Sequence, residues 1–279
     1  MTSSFEEISL TAINRFRGWT PKRQRSVPAF PSFGELVARR SIAMQREGVI
    51  VAFYTTGGVY EIEKDRLLKS AELLGLRVDI MAVPSLGSWV RNAGLKPSIL
   101  LDMRRKHCGQ LLYLDVDAVL HRNPWPKLTC FSGDLAAYYA PTGRLLSGTL
   151  LVNDSQTAVS LLEKWKAACA NDPTLWDQLV LERIIAEDAA GAKPLFNIER
   201  LPVEFCWIFD RIDDESSPEI FIEHLQASRE EKTKGRLFGR FSKALARRRE
   251  RVLQIEQILF GKAQSANQPT LRTAGLETR

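Results

Sequence analysis

Short apolar runs alternate with amphipathic segments from Gly48 to about residue 230. The continuous apolar runs predict buried strands at 49–55, 77–83, 111–115, 135–140, 149–152 and 220–223. Between them, apolar residues recur at three- and four-residue steps, which predicts helices at 61–74, 96–106, 155–170 and 175–189. Strand–helix repeats of this length predict an α/β fold, a mainly parallel sheet covered by helices.

The two ends of the chain depart from this alternation. Residues 1–47 form a basic extension punctuated by prolines, and 48–230 are expected to form a single domain. In 231–260 apolar residues follow helical spacing from Leu237 to Leu259, interrupted at Arg248, which predicts a basic amphipathic helix. Residues 261–279 lack periodicity, so we expect a disordered tail.

The net charge of +6 is unevenly distributed along the 279 residues. Residues 49–231 hold 19 basic and 26 acidic side chains, whereas 232–251 hold nine basic and one acidic. The basic ends indicate an anionic partner, and the acidic body argues against nucleic acid. The basic helix either lies peripherally on an anionic membrane, or packs on the domain with its charges in water; both interpretations stay open.

The cysteine pattern and the lack of a long apolar run bear on location. Cys108, Cys130, Cys169 and Cys206 are scattered without metal-ligand spacing, which favours reduced thiols. No apolar run approaches the ~20 residues that span a bilayer, and the first residues do not resemble a secretory signal. We therefore expect a cytoplasmic protein, either free or held at the inner face of a membrane.

Two carboxylates, Asp115 and Asp117, follow the apolar run that begins at Leu111. At a strand end, residues i and i+2 point to the same side, so these side chains can converge on one point. Carboxylates this close repel each other unless a cation lies between them. The simplest cation is a hard divalent metal with room for phosphate oxygens. The pattern predicts a phosphate-handling site.

Further motifs follow in an order that is typical of one protein family. They are Phe53-Tyr-Thr-Thr56, Leu114-Asp-Val-Asp117, Leu145-Leu-Ser-Gly-Thr-Leu150, Trp176-Asp-Gln178 and Ile222-Glu-His-Leu-Gln-Ala-Ser-Arg229. In this order the chain resembles the GT-A fold glycosyltransferases of the nucleotide-diphospho-sugar transferase group, including the retaining family-eight and family-seventy-seven enzymes. The resemblance covers roughly residues 48–230, the GT-A catalytic domain that it implies.

The resemblance implies a metal-dependent hexosyltransferase with a nucleotide-sugar donor, expected to be a UDP-sugar. Asp115, Asp117 and His224 match the family's metal ligands, and Mn²⁺ suits an imidazole ligand better than Mg²⁺. The residues expected to contact the donor match the other motifs or lie near them: Tyr54, Thr55, Thr56, Lys96, Asp115, Val116, Asp134, Gly148, Thr149 and Arg229. The acceptor, whether a saccharide, a lipid-linked molecule or a protein, stays undetermined.

In retaining relatives the pair that matches Asp177 and Gln178 lies beside the sugar ring, with the amide near the anomeric carbon. Since an amide is a poor nucleophile, the resemblance implies retention through an ion-pair mechanism on one face of the sugar. A second interpretation of Asp177 is that it caps a helix. The Asp115/Asp117 pair would also suit a haloacid-dehalogenase-like phosphatase or a nucleotidyltransferase.

Overall fold

A computed structural model of the chain describes residues 48–210, 219–231 and 242–261. Its strands are β1 Val49–Thr55, β2 Val78–Val83, β3 Leu111–Leu114, β4 Ala118–Leu120, β5 Leu135–Tyr139, β6 Leu145–Val152, β7 Ile198–Leu201, β8 Trp207–Ile208 and β9 Ile222–His224. Its helices are α1 Val59–Leu74, α2 Trp89–Ala93, α3 Lys96–Lys106, α4 Trp125–Leu128, α5 Gln156–Asn171, α6 Asp177–Ala189, α7 Ser228–Glu231 and α8 Lys243–Phe260. The basic extension, the start of the predicted C-terminal helix and the predicted disordered tail lie outside the described residues.

The central sheet has six strands in the order β2-β1-β3-β6-β5-β7. Strand β1 is parallel to β2 and β3, and β5 is parallel to β7, whereas β6 is antiparallel to both of its neighbours. The predicted α/β class with a mainly parallel sheet is confirmed. Because β6 is antiparallel to β3, its Ser147 and Gly148 lie just beyond the carboxyl end of β3, where the Asp pair begins.

The apolar residues of the sheet face two cores, one on each side. Ile50, Leu112 and Leu114 pack with α1 and with the C-terminal helix α8. Val49, Leu111 and Tyr113 point to the other side and pack with α3, α5 and α6. Both faces of β1 and β3 are therefore buried, which explains why their sequences are continuously apolar rather than alternating.

A second, three-stranded sheet has the order β4-β9-β8. Its strand β4 begins directly after the Asp-x-Asp segment. Ala118 of β4 pairs with His224 of β9, and Val119 pairs with Glu223. This pairing joins residues about a hundred positions apart, and it was not predicted. It places the late histidine beside the Asp pair.

Helix α8 packs on this second sheet and on α1. Leu245, Ile255 and Leu259 are buried in the core, and the Arg251 guanidinium donates from Nε and one terminal nitrogen to the two carboxylate oxygens of Glu223, both at 2.8 Å. The described part of the basic helix thus packs on the domain, but with Arg248 and Arg251 buried there rather than in water. No helix in the described ranges is long and apolar enough to cross a lipid bilayer.

Several element boundaries differ from the predictions for local reasons. Strand β6 begins at Leu145 rather than at 149, because it pairs with β5 on both sides of an irregularity at Ala137/Tyr138. Strand β3 ends at Leu114, since Asp115 turns away and its carbonyl accepts a hydrogen bond from the Ala118 amide at 2.9 Å. Both differences bear on the pocket described next.

Candidate active site

A pocket opens beyond the carboxyl ends of β1 and β3, against the start of β6 and of α6. Its lining residues come from both sheets and from helices on each side of them. They are Phe53, Tyr54, Thr55, Tyr60, Trp89, Asn92, Ala93, Lys96, Tyr113, Asp115, Val116, Asp117, Leu146, Ser147, Gly148, Trp176, Asp177, Gln178, Cys206, Ile208, His224, Gln226 and Ser228. In α/β sheets this edge is where ligands bind.

The two carboxylates of the Asp-x-Asp segment have different environments. Asp115 is partly exposed, and its Oδ1 accepts hydrogen bonds from the Tyr113 hydroxyl at 2.7 Å and the Lys96 ammonium at 3.1 Å. Asp117 is buried, and its Oδ2 accepts a hydrogen bond from the Ala227 amide at 2.7 Å. Burial would raise the pKa of Asp117, but His224 and the Ala227 amide outweigh burial and lower it. Asp117 is thus an ionised, fixed carboxylate.

The His224 imidazole is buried beside Asp117. Its Nδ1 lies 3.6 Å from Asp117 Oδ1, and its Nε2 lies 2.8 Å from the Thr149 hydroxyl. The turn that follows is sharp, since Gln226 has a φ of 58°. Burial would lower the pKa of His224, but Cys206 and Asp117 outweigh burial and raise it to about 10. A metal bound by His224 would therefore compete with a proton for the imidazole.

A small gap at Gly148 separates the three proposed metal ligands. A Cβ placed on Gly148 would lie 3.3 Å from Asp115 Oδ2, and 3.2 and 3.4 Å from Cε1 and Nδ1 of His224. In the part of the chain that the structure describes, no group of three or more His, Cys, Asp or Glu side chains is placed so that it could hold a metal ion. The donor types nevertheless suit a divalent ion: Asp115 and His224 border Gly148, Asp117 lies 3.6 Å from the imidazole, and Thr149 contacts the other nitrogen of the ring.

Lys96 links the Asp pair to the start of α6. Its buried ammonium lies 3.1 Å from Asp115 Oδ1 and 3.2 Å from Asp177 Oδ2, and it donates to the Ser147 hydroxyl at 3.0 Å. Burial would lower the pKa of Lys96, but the two carboxylates outweigh burial and raise it. Burial also raises the pKa of Asp177, and Lys96 only partly offsets this.

The polar groups at the start of α6 face β6. The Ser147 hydroxyl donates to Asp177 Oδ2 at 3.2 Å, and the Ser147 amide donates to Gln178 Oε1 at 3.3 Å. Asp177 Oδ1 is buried and has no hydrogen-bond partner among the described residues. Because the whole Asp177 side chain is buried, a hydroxyl group of a ligand would reach this oxygen only after neighbouring side chains move.

Most of the predicted site residues line the pocket: Tyr54, Thr55, Lys96, Asp115, Val116, Asp117, Gly148, Asp177, Gln178 and His224. Thr149 supports His224 from behind. Thr56 is exposed, and its amide bonds to the Val83 carbonyl at the end of β2.

Two predicted donor contacts need correction. The Asp134 carboxylate accepts hydrogen bonds from Ser155, Thr157 and the Asn197 amide, so it fastens β5 to neighbouring loops and does not line the pocket. Arg229 forms a two-point pair with Asp210, at 2.7 and 2.6 Å, rather than facing the pocket. In both cases the side chain forms its hydrogen bonds with another part of the chain.

Several residues that line the pocket were not predicted from the sequence: Tyr60, Trp89, Asn92, Trp176, Cys206, Gln226 and Ser228. Trp176, Gln226 and Ser228 stood inside the quoted motifs without an assigned role. Tyr60, Trp89 and Cys206 come from segments with no motif, so only the fold reveals their position.

Comparisons with known proteins agree with this geometry. Residues 95–216 match a family model described as nucleotide-diphospho-sugar transferase. The structure is similar to a glycosyltransferase involved in the glycosylation of the major capsid of PBCV-1, with a TM-score of 0.50 and 12% identity, covering 72% of this chain and 97% of that chain. It is also similar to the glycosyltransferase GlyE of Streptococcus pneumoniae TIGR4, with a TM-score of 0.47 and 14% identity, covering 76% of this chain and 62% of that one.

The comparison with curated proteins gave no match. The structural similarity to the capsid-glycosylating enzyme concerns the fold, and the family model concerns the segment from Leu95 through the Asp pair and the Asp177–Gln178 pair. The predicted GT-A-like fold, the resemblance to the nucleotide-diphospho-sugar transferases and the enzyme class, glycosyltransferase, are thereby confirmed.

Proposed function

We propose that this enzyme moves a sugar from a UDP-sugar donor to an acceptor hydroxyl, with a divalent metal held by Asp115, Asp117 and His224. The observation that carries the proposal is that β9 brings His224 to within 3.6 Å of Asp117, at a gap kept open by Gly148. Mn²⁺ or Mg²⁺ bound there would neutralise the charge that develops on the departing diphosphate.

The chain's own residues would hold the donor around that gap. Lys96 supplies a buried positive charge between Asp115 and Asp177, where it can orient the donor sugar. The unpartnered Asp177 Oδ1 can accept a hydrogen bond from a sugar hydroxyl. Tyr54 and Thr55 lie where β1 ends, where an aromatic ring and a hydroxyl suit a nucleotide base and ribose.

We further propose that the anomeric configuration is retained. The carboxylates among the described lining residues are those of Asp115, Asp117 and Asp177. The first two are assigned to the metal, and Asp177 is tied to Lys96 and Ser147. In the proposed step, the bond between the anomeric carbon and the diphosphate oxygen breaks and the acceptor oxygen bonds to that carbon. The acceptor proton passes to the departing phosphate oxygen, so no protein base is needed.

The family match favours glycosyl transfer over the phosphatase and the nucleotidyltransferase. Helix α8 adds little support for membrane association, because its described arginines are engaged by carboxylates of the domain. Arg247 pairs with Asp210, and Arg249 pairs with Glu230. Arg248 and Arg251 are buried.

Asp117→Asn tests the metal assignment. The amide oxygen can still accept the Ala227 hydrogen bond, so we expect the fold to survive while Mn²⁺-dependent turnover of UDP-glucose and UDP-galactose falls by roughly 10²–10³-fold. Mn²⁺ affinity is measured by calorimetry without donor, and thermal unfolding is recorded in EDTA. Asp102→Asn, an exposed carboxylate on α3, is the matched control.

Two outcomes would contradict this proposal. One is unchanged Mn²⁺ affinity and turnover in Asp117→Asn. The other is a wild-type enzyme that turns over neither UDP-sugar with Mn²⁺, or that releases phosphate from p-nitrophenyl phosphate instead.

A further inference from the structure

Two tryptophans on one side of the pocket have no evident role in the core. Trp125, Trp165 and Trp207 are buried, whereas Trp89 and Trp176 are only partly buried and both line the pocket. Their ring centroids lie 5.5 Å apart and their planes are tilted by 52°. The pair therefore offers indole surface to whatever occupies this side of the pocket.

Contacts within the chain hold the Trp89 ring in place. Trp89 is the first residue of α2, whose N-cap Ser88 accepts a hydrogen bond from the Arg91 amide at 3.2 Å, and its side chain is hydrogen-bonded to Tyr60. The loop before it is fastened by Asn92, whose side chain bonds to the Leu86 amide and to Ser85. Helix and loop thus fix Trp89 before any ligand arrives.

Trp176 is fixed by the helix that it begins. It is the N-cap residue of α6, and its carbonyl accepts hydrogen bonds from the Leu179 and Val180 amides at 2.9 and 3.2 Å. These bonds fix the Trp176 backbone, and a ring on a fixed backbone loses less conformational freedom on binding, which favours affinity.

The pair reaches both parts of the site. Trp176 directly precedes Asp177 and Gln178, the residues assigned to the donor sugar. Trp89 is hydrogen-bonded to Tyr60, whose pKa is raised by burial and by the nearby Asp117 and Asp115. A sugar ring lying against the tryptophans would therefore lie beside the residues assigned to the donor.

The chemistry of the indole surface indicates which kind of ligand ring would bind to it. A pyranose presents an apolar C–H face and polar hydroxyl edges, which matches an indole surface beside polar groups. The neighbouring Asn92 is already occupied by its loop, and Ala93 is apolar. A charged or phosphate-bearing ligand would find no cationic partner among these residues, apart from Lys96 at the boundary.

We propose that the Trp89–Trp176 pair is the acceptor subsite and that it binds a sugar ring, so that the acceptor is a saccharide or the saccharide part of a glycoconjugate. This inference rests on the proposed function for the donor side. It assigns the pair to the acceptor and not to the donor sugar, a distinction that the experiment must make.

The test compares Trp89→Ala and Trp176→Ala with Trp89→Phe and Trp176→Phe. Leu179→Ala, an exposed position on α6 outside the pocket lining, is the control. Hydrolysis of UDP-glucose and UDP-galactose with Mn²⁺ gives the KM of the donor, and transfer to a panel of p-nitrophenyl glycosides gives the KM of the acceptor. We expect the alanine variants to raise the acceptor KM about tenfold, well beyond any change in the donor KM, and the phenylalanine variants to rescue much of it.

A direct binding measurement tests the inference even if the enzyme does not turn over the UDP-sugars. Saturation-transfer NMR with methyl glycosides should detect the ring protons of at least one sugar with the wild-type enzyme and UDP, and this signal should be lost in Trp176→Ala. No signal with the wild type, or a signal in both alanine variants equal to that of the wild type, would overturn the inference. Equal rises in the donor and acceptor KM would also overturn it, by assigning the rings to the donor. Failure of UDP-sugar turnover with sugar binding intact would contradict only the proposed function.

Discussion

Two groups of buried charges lie back to back across β9, and they differ in how their charges are matched. The pocket cluster consists of Lys96, Asp115, Asp117, Asp177 and His224. The helix cluster consists of Glu63, His121, Glu223, Arg248 and Arg251. The two meet at the adjacent residues Glu223 and His224, whose side chains lie on opposite sides of one strand.

In the helix cluster, the carboxylates and the arginines balance. Both oxygens of Glu223 are bonded to Arg251, and one of them also contacts His121 Nε2 at 2.7 Å. Arg248 bonds to Glu63 on α1 and to Glu230 on α7. Burial would raise the pKa of Glu223, but His121 and Arg251 outweigh burial and lower it to about 2. This cluster is a structural fastening for α8.

In the pocket cluster, carboxylates outnumber the permanently charged cations. Lys96 serves both Asp115 and Asp177, Asp177 Oδ1 has no partner among the described residues, and Asp115 keeps 42% of its side chain exposed. With His224 unprotonated, three carboxylates face one ammonium, and such an excess of negative charge is receptive to an added cation. The charges of the helix cluster thus hold the fold, whereas those of the pocket cluster are the ones that we propose bind a ligand.

The largest effect is expected from breaking the helix cluster with Arg251→Met. The substitution leaves Glu223 buried without its two-point partner, so unfolding in urea should show a loss of about 3–5 kcal/mol in the free energy of unfolding. The double variant Glu223→Leu/Arg251→Met removes both charges and should recover most of this loss. A loss below about 1 kcal/mol in the single variant would show that the pair does not fasten α8.

A smaller effect, confined to ligand binding, is expected from Gly148→Ala in the pocket cluster. The added Cβ would lie 3.2–3.4 Å from His224 and Asp115, and it would crowd the gap proposed for the metal. We expect Mn²⁺ affinity, measured by calorimetry, to fall about 10–100-fold, with little change in unfolding without metal. Gly94→Ala is the control, because its Cβ would meet only ordinary contacts at 3.4 and 3.5 Å. Equal Mn²⁺ affinity in both variants would contradict the placement of the metal.

The smallest effect is expected from Arg249→Ala at the edge of the helix cluster. Arg249 bonds to Glu230 at 2.8 Å, but 48% of its side chain is exposed, so solvent screens the pair. The free energy of unfolding should fall by at most about 1 kcal/mol in the urea measurement used for Arg251→Met. An effect as large as that of Arg251→Met would remove the distinction between buried and exposed pairs of α8.

Local patterns in the sequence were sufficient to predict the strands and helices whose apolar residues are regularly spaced. Strand β1 and helix α3 begin and end at the predicted residues, because continuous apolar character and helical spacing are properties of neighbouring residues. The motif residues that line the pocket were assigned from the order of the motifs and the family resemblance, and Asp115 and Asp177 also stand at element ends in the sequence itself. Asp134 and Arg229 have equally suitable side chains, and only their tertiary partners show that they are occupied elsewhere.

The sequence by itself determined the alternation of strands and helices, the carboxylate pair at the end of β3 and the amphipathic period of α8. Only the tertiary structure decided that His224 reaches the pair through β4–β9 pairing, that Arg248 and Arg251 on the apolar side of α8 meet buried glutamates, and that Trp89 meets Trp176. The physical reason is distance along the chain. The periodic spacing of apolar residues depends only on residues close together in the chain. Glu63 and Arg248 are 185 positions apart, and their pairing depends on the packing of every element between them.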